Sequence, residues 1–324
     1  MSNKVFKVVL LQALPASGKS EVRNFMANVD AQRLKDEFHI GENLQLDDFP
    51  YVHMMRRIDN ELEALGRPRI FYPGEEPFFD GRDWGTLCNL LNEDYHDLLG
   101  RVRVNPDSAA QHLFERIDRA AAGAGISPRL GLLPQQDREA VGKKLEAEAR
   151  AMLDEKQAAY PESFEDKTII IECARGGPDG TEPPLSGTFG YQYSLPMFCP
   201  EILENAVILY IWVTPEESRR KNADRADPND PGSNLHHGVP LAVMLGDYGC
   251  DDMEYLIQHA DKPNHVSFEA HGRHWDLPIG VFDNRVDKTS FLRAEPAAWD
   301  PAKVEEVTAA IRAATDTMFA NYRG

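Results

Sequence analysis

The chain has 324 residues, of which 42% are hydrophobic and 27% are charged, a composition typical of a soluble globular protein with a sizeable core. Its formal net charge of −18 at pH 7 argues against an extended nucleic-acid-binding surface, because phosphate backbones are held mainly by lysine and arginine. The four cysteines are scattered without metal-ligand spacing, which argues against a disulfide framework or a zinc site. The apolar run at 5–11 predicts neither an export signal nor a membrane anchor, so we expect a cytoplasmic protein.

The first predicted elements are a buried strand, a loop and a helix. Residues 5–11 form an apolar run rich in β-branched side chains, and it is too short for a buried helix. After the loop, Val22, Phe25, Met26 and Val29 recur at the spacing of one helix face.

The loop between this strand and this helix carries a phosphate-binding pattern. Residues 13–20, ALPASGKS, fit the pattern [AG]-x-x-x-x-G-K-[ST]. In such a loop the backbone amides surround a phosphate, the lysine reaches the β and γ phosphates, and the final hydroxyl coordinates Mg²⁺. We therefore predict that Lys19 contacts the phosphates and that Ser20 is a magnesium ligand. The other predicted nucleotide-binding residues are Ala13, Pro15, Ala16, Ser17, Gly18 and Glu21. The alternative, an ordinary turn, places a lysine where the helix dipole disfavours a cation.

Further strands and helices alternate along the chain. Strands are predicted at 44–46, 168–171, 206–213 and 279–282, and helices at 51–65, 107–122 and 134–159. This alternation predicts an α/β protein with a parallel sheet of about five strands. Residues 66–166 show helical patterns without a convincing strand, and we interpret them as a largely helical insertion in a single domain that spans residues 1–324.

Acidic residues follow two of the predicted strands. Asp47 and Asp48 come directly after the strand at 44–46, and Glu172 comes directly after the strand at 168–171. Ligands of doubly wound folds bind beyond the carboxyl ends of the strands. Phosphoryl transfer needs little more than one carboxylate to orient or deprotonate a hydroxyl and one to hold magnesium. A turn or helix-cap role for Asp47 and Asp48, and an ordinary strand-end role for Glu172, stay open.

A cationic helix follows the strand at 206–213. Thr214, Pro215 and Glu217 form a strong helix start. The helix then presents a cluster of cations: Arg219, Arg220, Lys221 and Arg225. A solvated charged face is one interpretation of this cluster.

Three of these sequences together resemble a known family. The loop at 13–20, the Asp-x-Phe sequence at 47–49 and the Ile-Ile-Ile-Glu sequence at 169–172 resemble the P-loop kinases of small molecules, particularly the uridine kinase and phosphoribulokinase group. The resemblance implies a P-loop NTPase fold with three α/β/α layers, ATP as phosphate donor and Mg²⁺ as cofactor. By position it implies that Asp47 is the base near the acceptor hydroxyl and that Glu172 serves the magnesium site. Pro50 interrupts the family's Phe-Tyr pair, so Asp48 is the alternative base.

The same resemblance assigns two later regions. Residues 214–240 would form a lid whose arginines, Arg219 and Arg225, neutralise the migrating phosphoryl group and exclude water. Asn284, which follows the last predicted strand, would lie in the loop that passes under the adenine, or in a plain strand-to-helix turn.

Other residues are candidates for the lining of an acceptor pocket. Trp84, Tyr95 and the pair Phe78–Phe79 could line it, although aromatic residues at this spacing are more often core. Arg175 could contact a substrate anion. The clustered but irregularly spaced histidines do not predict a metal site: His259, His265, His271 and His274.

We therefore expect an ATP- and Mg²⁺-dependent kinase that acts on a hydroxyl or phosphate of a small molecule such as a nucleoside, a nucleotide or a sugar. Two alternatives stay open. One is a nucleotide-binding switch or regulatory ATPase without a small-molecule acceptor. The other is a toxin-type P-loop kinase that phosphorylates nucleotide sugars.

Overall fold

A six-stranded sheet forms the centre of the computed structural model, which describes residues 5–225 and 238–322. The strands are β1 Val8–Gln12, β2 Glu42–Asp47, β3 Lys167–Cys173, β4 Ala206–Trp212, β5 His265–Ala270 and β6 Arg273–Asp283. Their order is β2-β3-β1-β4-β6-β5. Five strands run parallel, and β5 pairs antiparallel with β6 at the edge. The predicted α/β class with a mostly parallel sheet is confirmed.

The hairpin of β5 and β6 is the part of the sheet that the sequence analysis missed. The sequence predicts only residues 279–282, the part of β6 that pairs with β4. The two strands are joined at His271 and Gly272, whose φ angles of 53° and 68° are both positive. Two successive positive φ angles are the signature of the tight hairpin turn whose twist matches that of the flanking strands.

Twelve α-helices surround the sheet within the described residues. They are α1 Lys19–Ala27, α2 Ala31–Phe38, α3 Phe49–Ala64, α4 Asp83–Gly100, α5 Ala109–Gly123, α6 Gln135–Ala158, α7 Gly190–Ser194, α8 Pro200–Leu203, α9 Pro215–Arg225, α10 Leu241–Gly246, α11 Met253–Gln258 and α12 Pro301–Asn321. Among the described residues, none of these helices is both long and apolar enough to cross a membrane. The predicted helices correspond to α1, α3, α5, α6 and α9, with boundaries shifted by one or two residues in most cases.

Helices cover both faces of the sheet. Side chains of a strand point alternately to opposite faces, and in β1 Val9 and Leu11 join the core shared with α1, α2 and α12. On the other face, Val8 and Leu10 join the core shared with α4, α7, α8 and α11. Since both sets of side chains are buried, residues 8–11 of β1 are all apolar.

Residues 66–166, all of which the structure describes, contain α4, α5 and α6 and no strand. A third apolar core lies among these helices and α3, and it includes Leu14 of the loop after β1. Helix α4 connects this core to the sheet, because Leu87 and Leu90 belong to the third core and Leu91 and Leu98 to the core on the sheet. The helical region is thereby held next to the carboxyl ends of the strands. Its assignment as an insertion in one domain stays a prediction.

Candidate active site

A cleft lies at the carboxyl ends of β1, β2 and β3, and it contains about 910 Å³ of space, counting its open mouth. Ligands of doubly wound α/β folds bind at this edge of the sheet, beyond the carboxyl ends of the strands. One end of the cleft, the loop end, is lined by Pro15, Ala16, Ser17, Lys19 and Ser20, with Asp47, Asp48 and Glu172 beside them. We call a second set of lining residues the acceptor end, after the acceptor pocket that the sequence predicts: Val52, Arg56, Tyr72, Trp84, Val239, Pro240, Val243, Asp247 and Tyr248.

The loop connects β1 to α1 through two left-handed positions. Ala16 has a φ of 54° and Gly18 a φ of 111°. A Cβ atom on Gly18 would lie 2.5 Å from the hydroxyl of Thr289 and 2.9 Å from the side-chain nitrogen of Asn284. Both the backbone angle and the lack of space therefore require glycine at position 18.

Two distant segments hold the loop from behind. The Asn284 amide donates hydrogen bonds to the Ser17 carbonyl at 2.6 Å and to the Thr289 hydroxyl at 3.0 Å. The Ser218 hydroxyl, on α9, donates to the Pro15 carbonyl at 2.7 Å. Because Asn284 is fully buried beneath the loop, its observed role is to support the loop, and its contact with a nucleotide stays a prediction.

The Lys19 ammonium group lies at the centre of the loop end. It donates to the carbonyls of Ala13 and Leu14, both at 3.3 Å, and lies 4.0 Å from a carboxylate oxygen of Glu172. The nearby Ser17 hydroxyl is buried and has no hydrogen-bond partner among the described residues. Lysine, hydroxyl and loop amides are the groups that bind a phosphate.

Besides Asn284, three of the predicted nucleotide-binding residues do not line the cleft, although the structure describes them. They are Ala13, Gly18 and Glu21. Ala13 is buried, and the carboxylate of Glu21 accepts a hydrogen bond from Arg293 at 2.7 Å on the far side of α1. Gly18 acts through its backbone conformation. Their contact with a nucleotide stays a prediction.

The two predicted acids lie side by side. Strands β2 and β3 pair in a register that places Asp47 opposite Glu172 at the ends of both strands. Arg23, on α1, contacts both carboxylates, at 3.4 Å from Asp47 and in a direct hydrogen bond with Glu172. The other oxygen of Asp47 accepts a hydrogen bond from the Phe49 amide at 2.9 Å, at the start of α3. The structure therefore brings together Lys19, Ser20, Asp47 and Glu172.

The environment of Asp47 raises its pKa towards neutral pH. Burial raises the pKa of Asp47 to about 7, the negative charges of Glu172 and Asp48 act in the same direction, and Arg23 opposes them. A carboxylate with a pKa close to the working pH is well suited to accept a proton from a hydroxyl.

Asp48 has a different partner. Its carboxylate accepts a hydrogen bond at 2.7 Å from Arg175, which is buried and also donates to the Ala174 carbonyl at 2.6 Å. Burial raises the pKa of Asp48, while the charge of Arg175 lowers it. The guanidinium carbon lies 4.9 Å from the centroid of the Trp84 ring. Arg175 is thus committed to Asp48 and does not line the cleft.

The aromatic residues that the sequence suggests for an acceptor pocket lie in different parts of the structure. Trp84 lines the cleft, whereas Tyr95 and Phe78 belong to apolar cores and Phe79 is exposed. Arg56, Tyr72, Asp247 and Tyr248 were not predicted. No motif marks them in the sequence, because they come from α3, from the segment before α4 and from the segment after α10.

The cationic helix α9 begins as predicted, with the Thr214 hydroxyl accepting a hydrogen bond from the Glu217 amide at 3.2 Å. Arg219 lies 3.2 Å from Asp179 and does not line the cleft. Lys221 is completely buried and bonds to Asp287 at 2.8 Å and to Thr289 at 3.1 Å. The side chain of Arg225 and residues 226–237 lie outside the described residues. The lid at 214–240, with Arg219 and Arg225, stays a prediction.

The residues of the cleft fit a magnesium ion in their chemistry. The Ser20 hydroxyl and the Glu172 carboxylate are oxygen ligands of the kind that Mg²⁺ prefers, and Glu172 would be shared with Arg23. Among the described residues, two other groups of potential metal ligands occur away from the cleft: His96 with Cys199 and Glu201, and His274 with Asp261 and Asp276. The second group contains His274, one of the four histidines that are clustered in the sequence.

The chain was compared with protein-family models, with curated proteins and with solved structures, and none of them matches it.

Proposed function

We propose that the protein is a P-loop kinase that uses ATP and Mg²⁺ to phosphorylate a hydroxyl group of a small molecule such as a nucleoside, a nucleotide or a sugar. One observation carries this proposal. A single cleft joins a loop of the phosphate-binding pattern, through Asp47 and Glu172, to a separate end lined by aromatic residues.

The donor would bind at the loop end. The backbone amides of residues 15–18 and the Lys19 ammonium would hold the β and γ phosphates, and Ser20 and Glu172 would hold the magnesium ion. Magnesium, when bound, neutralises the charge of the phosphate oxygens. The hydrogen bonds from Ser218 and Asn284 fix the loop in place, so little reorganisation is needed when the phosphates arrive.

Asp47 would act on the acceptor. Its carboxylate takes the proton of the acceptor hydroxyl as the acceptor oxygen bonds to the γ phosphorus and the bond to the β–γ bridging oxygen breaks, which releases ADP. Asp47 is favoured over Asp48 because Asp48 is engaged by the buried guanidinium of Arg175. The pKa of Asp47, which burial raises to about 7, suits a carboxylate that takes a proton from the acceptor hydroxyl.

The first test is ADP release from ATP in the presence of nucleosides, sugars, nucleotide sugars and phosphorylated sugars. Replacing the lysine, Lys19→Ala, should lower turnover by about 10³-fold, as the loss of one charge-stabilising group does in other enzymes. The matched control is Lys144→Ala, at an exposed lysine on α6. Circular dichroism checks that both variants fold.

Full activity of Lys19→Ala would refute the proposal that the protein is a P-loop kinase. ATP binding without phosphate transfer to any compound, together with tolerance of Asp47→Asn, would instead favour the nucleotide-binding switch. Transfer to a nucleotide sugar alone would favour the toxin-type kinase.

A further inference from the structure

We propose that the acceptor end of the cleft binds a ring compound that carries a hydrogen-bond donor such as an amino group and carries no phosphate or carboxylate, and that Asp247 and Tyr72 recognise that donor. That the bound compound accepts a phosphate rests on the proposed function. The preference for a compound with a donor and without a phosphate does not depend on it.

Two buried oxygen atoms at this end have no hydrogen-bond partner among the described residues. They are one carboxylate oxygen of Asp247 and the hydroxyl of Tyr72, and both residues line the cleft. The residues are only 5% and 2% exposed. An unpaired buried polar group costs about 1–3 kcal/mol, so a ligand that bonds to these two atoms would regain that free energy. Asp247 accepts hydrogen bonds, and the Tyr72 hydroxyl both accepts and donates.

The cations near this end are already engaged. Arg56 donates to the carbonyl of Gly74 at 2.8 Å and to that of Glu76 at 3.4 Å, and its guanidinium carbon lies 3.8 Å from the centroid of the Tyr72 ring. Arg175, behind the cleft wall, is bonded to Asp48. A phosphate or carboxylate on the ligand would therefore face the Asp247 carboxyl, while the cations beside it already donate to acceptors of the protein.

The walls of the acceptor end suit a ring. Trp84 and Tyr248 meet edge to face with their centroids 5.7 Å apart, and Val52 and Val243 add apolar surface beside them. Aromatic and aliphatic walls with a few polar groups are typical of small-molecule sites, in which the polar groups fix the orientation. Burial raises the pKa of Asp247 to about 7, and a donor from the ligand would replace the hydration that the carboxyl has lost.

The test uses matched compounds that differ in one group. The pairs are cytidine with cytidine 5′-monophosphate, glucosamine with glucosamine 6-phosphate, and ribose with ribose 5-phosphate. Binding is measured by calorimetry in the presence of a non-hydrolysable ATP analogue, and ADP release is measured with ATP. We expect an amino compound, cytidine or glucosamine, to bind at least about tenfold more tightly than its phosphorylated partner and than ribose, since about 1.4 kcal/mol corresponds to tenfold.

Asp247→Asn should weaken binding of the amino compound by about 10- to 100-fold, the range for a hydrogen bond to a charged group, and raise KM more than it lowers kcat. The control is Asp251→Asn, because Asp251 is also a carboxyl whose pKa burial raises to about 7, but it bonds to Tyr210 and does not line the cleft. Tyr72→Phe provides a second variant should Asp247→Asn not fold.

Tighter binding of the phosphorylated partners, equal effects of the two aspartate variants, or no binding of any compound would overturn the inference. These outcomes are separate from the failure of the proposed function, which would appear as a wild-type protein that does not bind the ATP analogue or that binds the amino compound without releasing ADP.

Discussion

The two ends of the cleft satisfy their polar groups in different ways. At the loop end, carbonyls are bonded to side chains from distant segments, as in the hydrogen bonds from Asn284 to Ser17 and from Ser218 to Pro15. At the acceptor end, Tyr72 and Asp247 keep buried oxygen atoms without partners among the described residues. The loop carbonyls thus have partners within the protein and only the Ser17 hydroxyl is left without one among the described residues, whereas Tyr72 and Asp247 leave hydrogen bonds for a ligand to make at the acceptor end.

Asp47 lies beside the loop in the cleft, and its removal should have the largest effect. We expect Asp47→Asn to lower kcat by about 10²- to 10⁴-fold, the usual contribution of a general base. The measurement is ADP release at saturating ATP and acceptor. Asp48→Asn is the informative companion variant. A larger loss for Asp48→Asn than for Asp47→Asn would transfer the role of base to Asp48.

The pH dependence of activity should report the same carboxyl. Since the pKa of Asp47 is raised to about 7, the ionised fraction falls about tenfold for each pH unit below that value. We expect kcat/KM to rise with pH up to about 7 and then to level off, and we expect Asp47→Asn to remove this limb. An activity that stays constant from pH 5 to pH 8 in the wild type would contradict the assignment.

A variant behind the loop tests whether the hydrogen bonds to the loop carbonyls support the loop end. Asn284→Ala leaves the Ser17 carbonyl and the Thr289 hydroxyl without their amide partner in a buried place. We expect the free energy of unfolding to fall by about 1–3 kcal/mol and KM for ATP to rise. Urea denaturation followed by circular dichroism measures the first, and an unchanged midpoint would show that the support is dispensable.

The smallest effect is expected at the acceptor end, where Tyr72→Phe removes a hydroxyl that bonds to no described residue. The free energy of unfolding should stay within about 0.5 kcal/mol of the wild-type value or rise, because no hydrogen bond is lost and a buried unpaired group is removed. The same urea experiment serves for both variants. A loss at Tyr72 as large as that at Asn284 would erase the difference between the two ends.

The loop end was accessible from the sequence because its signals are local. Residues 13–20 carry the pattern consecutively, with an apolar strand before them and a helical face after them. Asp47 and Glu172 were found because they follow strands, but their pairing across β2 and β3 depends on a register that the sequence does not state.

The acceptor end could not be predicted because its residues are distant in sequence and follow no pattern. Tyr72 and Asp247 meet only after the helical region has packed against the sheet. Helix α4 was missed because it is buried on two sides, against two cores, and so lacks the single apolar face that marks a surface helix. Strand β5 was missed because several of its residues are partly exposed at the sheet edge.

The buried Lys221 of α9 has a consequence for how the molecule opens. Its ammonium group joins Asp287 to Thr289, Thr289 accepts from Asn284, and Asn284 holds the loop, while Ser218 ties the same helix to Pro15. Segments that share buried bonds tend to unfold locally as one cooperative unit. The amide hydrogens of the loop, of α9 and of the segment from Asn284 to Thr289 should therefore exchange with solvent at a common free energy of opening, although Pro15 and Ser218 are 203 residues apart in sequence and Ser17 and Asn284 are 267 residues apart.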